Sequence, residues 1–152
     1  MNAGSARQRA KGYHGRWATG EGQFHRRRPR YADGNGKLTG TMTAEPVEID
    51  VQTVAALRAA GASFLLLDCR EPDEHVIARI DGALLIPMRT IPERLADLEA
   101  HRAGRIVVHC HHGVRSLRVT EFLRARGFAR AQSMAGGIEA WSCEIDPATP
   151  RY

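Results

Sequence analysis

The sequence predicts an α/β domain over residues 42–152, a central, mostly parallel β-sheet flanked by helices, behind a disordered basic extension over residues 1–41. Short apolar runs bounded by polar turns alternate with segments of helical period, the pattern of strand–helix–strand units. Right-handed crossovers would then gather the carboxyl ends of the strands on one edge, where ligand sites of such sheets form. The texture also changes at Met42. Residues 1–41 hold eight of the 15 glycines and almost no aliphatic residues. Such a segment cannot bury enough apolar surface to offset the entropy of ordering it.

Each element has its own local signals. In "IDVQTVAALRAAG" Asp50 offers an N-cap, Val51, Val54, Ala55 and Leu57 an apolar face, and Gly61 a stop, which predicts a helix. "SFLLLDCRE" reads as a buried strand ending in polar residues, and "EPDEHVIAR" as a short helix with proline early and acids in its first turn. "IDGALLIPM" reads as a loop. "IPERLADLEAHRAG" predicts a second helix, with Pro92 early, Leu95 and Leu98 inward, and Gly104 closing it. "RIVVHC" is the next strand, and "RSLRVTEFLRARGF" an amphipathic helix starting near Arg115 or Ser116 and capped by Gly127. "AQSMAGG" suits a short strand and "GGIEAWS" a closing helix, with Trp141 packed under the preceding loop.

The net charge of +5 belongs to the extension, which holds nine of the 22 Lys and Arg residues against two of the 17 acids. Its run "RRRPR" is a weak motif. We read it as a solvated arm, or as sequence upstream of a natural start at Met42, and not as a nucleic-acid binder. The longest aliphatic stretches, Phe64–Leu67 and Ile106–Val108, are too short to span a bilayer, and no secretory leader pattern precedes the domain. Three cysteines, Cys69, Cys110 and Cys143, lack framework spacing and point to free thiols in a reducing, cytoplasmic setting.

Cys110 is the candidate catalytic residue. It stands where a strand stops, and "CHHGVRS" leads from it into a helix. A thiol is nucleophilic only as thiolate. If residues 111–116 curl around the sulfur, their amides converge on it, the helix start adds its dipole, and Gly113 permits the turn. Arg115 adds a fixed positive charge. Together these features predict a depressed Cys110 pKa. The loop residues His111, His112, Gly113, Val114, Arg115 and Ser116 are the candidate substrate contacts, and Asp68, Arg70 and Glu71, past the preceding strand, their candidate supports. Asp68 would hold loop amides or Arg115, and Arg70 would pair with an acid. His109 is read as a strand residue. The adjacent histidines point in different directions and no second ligand cluster accompanies them, so neither a metal nor another cofactor is expected.

These motifs resemble a known family. "CHHGVRS" resembles the active-site loop of rhodanese-type sulfurtransferases, C-x-x-G-x-R-[ST]. "LLDCREPDEH…IDGALLIPM" resembles their first signature, D-V-R-E…G-H-I-P-G-A-x-x-I-P, and "GGIEAW" resembles the second. The likeness runs from about Glu48 to Trp141. The ending "DPATPRY" is similar to that of small stand-alone bacterial members, which fits a beginning at Met42. The resemblance implies that Cys110 takes a sulfane sulfur from a donor such as thiosulfate or a persulfide and passes it to cyanide, a thiol or a sulfur-acceptor protein. Arg115 would then orient the sulfonate of thiosulfate or pair with Asp68 or Glu71 as a clamp. A sulfur-relay or regulatory module with little activity on free thiosulfate is the alternative. Phosphatases of similar fold have five residues between cysteine and arginine; here there are four, a ring better suited to one sulfur atom. In "ARIDGA", Arg79 and Asp81 stand where the family has histidine and proline, so no histidine role carries over. Cys69 is read either as a resolving thiol or, the favoured reading, as filler of a slot often held by valine.

Overall fold

The computed structural model describes residues 45–152; the extension predicted over residues 1–41 lies outside the described residues. Five parallel strands form one sheet in the order β1-β5-β4-β2-β3. They are β1 (Glu48–Ile49), β2 (Leu65–Asp68), β3 (Leu84–Leu85), β4 (Ile106–His109) and β5 (Ala131–Met134). Each crossover returns the chain to the same edge, so all strand ends that precede polar motifs lie together.

Both faces are covered, which is why Leu65–Leu67 of β2 and Ile106–Val108 of β4 read as unbroken apolar runs. Leu67, Ile106 and Val108 face one core cluster with Val119 and Leu123 of helix α3 (Val114–Ala125) and with Leu98. Leu66 and Val107 face the other, with Val51 and Val54 of α1 (Val51–Ala59) and Ile138 and Trp141 of α4 (Gly137–Glu144). The period of two places Cys69 and Cys110 in the first cluster, beyond Leu67 and Val108 respectively. Trp141 is buried as expected, but on the opposite face from Cys110.

Asp50 caps α1, its Oδ1 accepting the Thr53 amide at 2.6 Å. The short helix α2 spans Pro72–Ile77, with proline in its first turn. The helix predicted from Pro92 is instead a 3-10 helix, Leu95–His101, preceded by turns closed over three residues, such as Arg94 N–H to the Ile91 carbonyl. Leu95 and Leu98 are spaced by three, so the tighter winding aligns them toward the core. The "loop" containing Leu84–Leu85 pairs with β2 as an edge strand, and Glu48–Ile49 pairs with β5. Two residues are too few to show a period of two.

A buried ion pair ties the end of β2 to α2 and to the last residue of the chain. Arg70, fully buried, donates through Nε and Nη2 to the two Asp68 carboxylate oxygens at 2.9 and 2.6 Å. Its remaining N–H groups reach the Ala78 carbonyl at 2.7 Å, the Glu74 carbonyl at 3.3 Å and the Tyr152 hydroxyl at 2.7 Å. Every guanidinium donor is thus used. Burial alone would raise the Asp68 pKa; the Arg70 hydrogen bonds, the charge of His109 and the His75 contact outweigh it and hold the carboxyl at about 2.

Replacing Arg70 with alanine strands a buried carboxylate, and equilibrium unfolding should register a loss of about 3–5 kcal/mol. Because the fold favours the ionised form, the Asp68 contribution is complete above the ordinary aspartate range and is lost as pH falls toward about 2. Denaturant midpoints measured along an acid series should therefore drop steeply for wild type, and less for the variant.

Candidate active site

The site is built around the end of β4, the middle strand. Cys110 is 1% exposed and its Sγ accepts two amides, Gly113 N–H at 3.2 Å and Ser116 N–H at 3.4 Å. Ser116 Oγ lies 3.6 Å from the sulfur, near enough to accept from the thiol or donate to the thiolate, and is itself held by the Gly113 carbonyl and Ser133 Oγ, both at 2.9 Å. Ser116 sits in the first turn of α3, where amides have no partner within the helix. The helix begins at Val114, one or two residues before the start expected near Arg115 or Ser116.

Two glycines make this ring possible. Gly113 has φ +103°, a left-handed turn that a Cβ would strain. Gly137, at φ +59°, lies so close to the loop that a Cβ there would come within 2.3 Å of the His111 carbonyl oxygen and 2.5 Å of that of Cys110. That closeness lets the first amides of α4 take both carbonyls: Ile138 N–H to Cys110 at 2.9 Å and Glu139 N–H to His111 at 3.1 Å. With the carbonyls bound by α4, the amides of Gly113 and Ser116 are left to the sulfur. Those of His111, His112, Val114 and Arg115 have no acceptor among the described residues.

The neighbouring Cys69 thiol is the largest influence holding the Cys110 pKa well below that of an ordinary thiol. Burial opposes it, and the Ser116 hydroxyl and the Ser116 and Gly113 amides reinforce it. Cys69 is fully buried and its own pKa is driven strongly upward, first by that same contact and then by burial. Three cysteines, Cys69, Cys110 and Cys143, are free.

The supports differ from the sequence expectation in their pairing. Asp68 does not hold loop amides or Arg115; its oxygens are taken by Arg70 and by His75 Nδ1 at 2.9 Å. Arg115 pairs with neither Asp68 nor Glu71. Its two Nη atoms donate to the two carboxylate oxygens of Glu74, each at 2.6 Å. Glu71 is exposed at the start of α2, where its amide donates to Glu74 Oε2 at 3.0 Å. Glu74, facing inward from the first turn of α2, was the position able to reach 41 residues ahead to α3, and only the three-dimensional packing distinguishes it from Glu71. His111 stacks on His112 (ring centroids 3.9 Å apart) and on Tyr152 (4.2 Å). Burial lowers the His111 pKa. His109 is fully buried beside Asp68, and burial pushes its pKa down to about 4, so the imidazole is neutral at neutral pH. Among the described residues, no group of three His, Cys, Asp or Glu side chains is arranged to hold a metal. A separate hollow of about 410 Å³, lined by Arg58, Ile77, Trp141 and Pro150 among others, holds none of these loop residues.

The family model described as "Rhodanese-like domain" matches residues 50–144. The chain belongs to the rhodanese-like domain family. Among curated proteins, this rhodanese-like chain is 34% identical to a sulfurtransferase of Allochromatium vinosum, over 62% of its own length and 87% of that protein. It is 36% identical to adenylyltransferase and sulfurtransferase MOCS3-2 of Zea mays over 71% of its length, but spans only 23% of that larger protein. Among solved structures, a rhodanese-like domain protein from Staphylococcus aureus superposes with a TM-score of 0.60 at 28% identity, covering 70% of this chain and 99% of that one. No helix among the described residues is long and apolar enough to cross a membrane.

A methyl group at Gly137 cannot be accommodated without moving the loop backbone. Gly137→Ala should cost at least about 2 kcal/mol of stability, from the left-handed φ and the carbonyl contacts together. Iodoacetamide labelling of Cys110 at neutral pH should slow at least tenfold, an order-of-magnitude figure from misaligned thiolate donors; labelling at the wild-type rate would show that the glycine does not shape the loop.

Proposed function

We propose that the protein is a sulfurtransferase in which Cys110 carries a sulfane sulfur as a persulfide. The observation that carries this reading is the loop itself: two amides bound to a single buried sulfur, and four more with no acceptor among the described residues. The Cys110 thiolate would attack the outer sulfur of a donor such as thiosulfate, breaking its S–S bond and releasing sulfite. The terminal sulfur of the resulting persulfide would lie among the amides of His111, His112, Val114 and Arg115. A thiophilic acceptor, cyanide in an assay or a thiol or sulfur-acceptor protein in a cell, would then take that sulfur and return the thiolate. Splitting the transfer into two displacements is the general advantage of nucleophilic catalysis. The same amides stabilise the negative charge before attack, in the loaded state and on departure. Ser116 steadies the sulfur, while Asp68 and Arg70 hold the adjoining strand end. A reducing compartment such as the cytoplasm suits the three free thiols.

A sulfur-relay module with little activity on free thiosulfate is the second reading. It is favoured by the closed Arg115–Glu74 pair and by the match to a small part of a larger two-activity protein.

Intact mass after thiosulfate or hydropersulfide treatment tests the proposal. We expect a gain of one sulfur atom, absent in Cys110→Ser, together with Cys110-dependent thiocyanate formation from cyanide. Loading without turnover would favour relay. Absence of loading with either donor, with Cys110-dependent hydrolysis of a phosphate ester, would overturn the sulfurtransferase reading.

A further inference from the structure

The arginines around the loop and the adjoining strand end are already matched. Arg115 is closed on Glu74, Arg70 on Asp68, and Arg151 on Glu139. Glu74 is held in place from three sides. It accepts both Arg115 nitrogens, the Glu71 amide and the Tyr152 hydroxyl, the last at 3.0 Å. Tyr152 in turn is fixed by Arg70, which donates to its oxygen at 2.7 Å, and by the face of the His111 ring. Arg115 directly precedes Ser116, whose amide binds the Cys110 sulfur, so without Glu74 its charge would stand unmatched beside the loop.

This matters because donors differ in charge. Thiosulfate brings two negative charges to a thiolate that already carries one, and sulfite leaves with two. A hydropersulfide of a small thiol brings none in its protonated form: the thiolate attacks the outer sulfur, the S–S bond breaks, and the small thiolate leaves while Cys110 keeps the S–SH group. An ion pair supplies a dipole where a free guanidinium would supply net charge. Loop amides alone suffice for the second donor and are poorly matched to the first.

We propose that Glu74 and Tyr152 determine donor specificity, keeping Arg115 in a closed ion pair and thereby disfavouring doubly charged donors relative to small-thiol hydropersulfides. Tyr152 is a positioning residue in this scheme, acting through Glu74. The kinetic consequence rests on the sulfurtransferase reading, whereas the binding consequence does not.

The test has two arms. Calorimetry measures thiosulfate binding in the Cys110→Ser background, where no chemistry can occur. Adding Glu74→Gln should tighten binding roughly tenfold, and adding Tyr152→Phe, which keeps the ring and loses the hydroxyl, roughly threefold, as expected when hydrogen bonds to a charged group are released. Combining Arg115→Gln with Glu74→Gln should abolish the gain, since the guanidinium is what is set free. The second arm compares kcat/KM for thiosulfate with that for cysteine hydropersulfide, with Cys110 intact; the ratio should rise in both single variants. Unchanged or weaker thiosulfate binding, or a gain that survives the loss of Arg115, overturns the proposal. If no variant turns over either donor, the sulfurtransferase reading falls and the calorimetric arm still decides this one.

Discussion

Two backbone hydrogen bonds organise the site. The amides of Ile138 and Glu139 bind the carbonyls of Cys110 and His111. A loop of alternating donors and acceptors has no net preference for an anion until its acceptors are occupied elsewhere. Once α4 takes those carbonyls, the Gly113 and Ser116 amides remain for the sulfur, and a negative sulfur becomes the species the loop favours. The close approach that permits this requires a residue without a side chain, which is what Gly137 supplies. The helix α3 adds the Ser116 amide from its own unpartnered first turn.

Charge around this ring is balanced. Asp68, Glu74 and Glu139 each hold a guanidinium, and His109 is buried and neutral beside Asp68. The Cys69 thiol, the Ser116 hydroxyl and the main-chain amides are therefore left to favour the Cys110 anion. Rigid dipoles of this kind need no reorganisation when charge moves onto or off the sulfur. The arrangement also gives Cys69 a physical reason to differ from an ordinary aliphatic neighbour: it packs in the core as one, yet carries a donor. Cys69 is fully buried in the same core cluster as Cys110.

Much of this was legible in the chain. The apolar runs of β2 and β4, the helical period after Gly113 and the double glycine before Ile138 each express a local rule, and their order implied a parallel sheet with Cys110 at its carboxyl edge. What escaped was tertiary. β1 and β3 are too short to show a period and exist only because β5 and β2 offer them partners. The 3-10 winding at Leu95–His101 has apolar spacing compatible with an α-helix as well. Arg115 was expected to find an acid near the end of β2, but which one depended on the inward turn of α2, which favours Glu74 over Glu71. Tyr152 gives no sequence signal at all; its place beside Arg70 and His111 arises from how residues beyond α4 return across the loop.

The most direct measurement is the titration of the Cys110 thiol, followed by thiolate ultraviolet absorbance as the difference between wild type and Cys110→Ser. The midpoint should fall well on the acid side of neutrality, so that the sulfur is already an anion at neutral pH. A midpoint at or above the ordinary thiol value of about 8.5 would contradict it, because the inward amides would then not be stabilising the charge for which the loop is built.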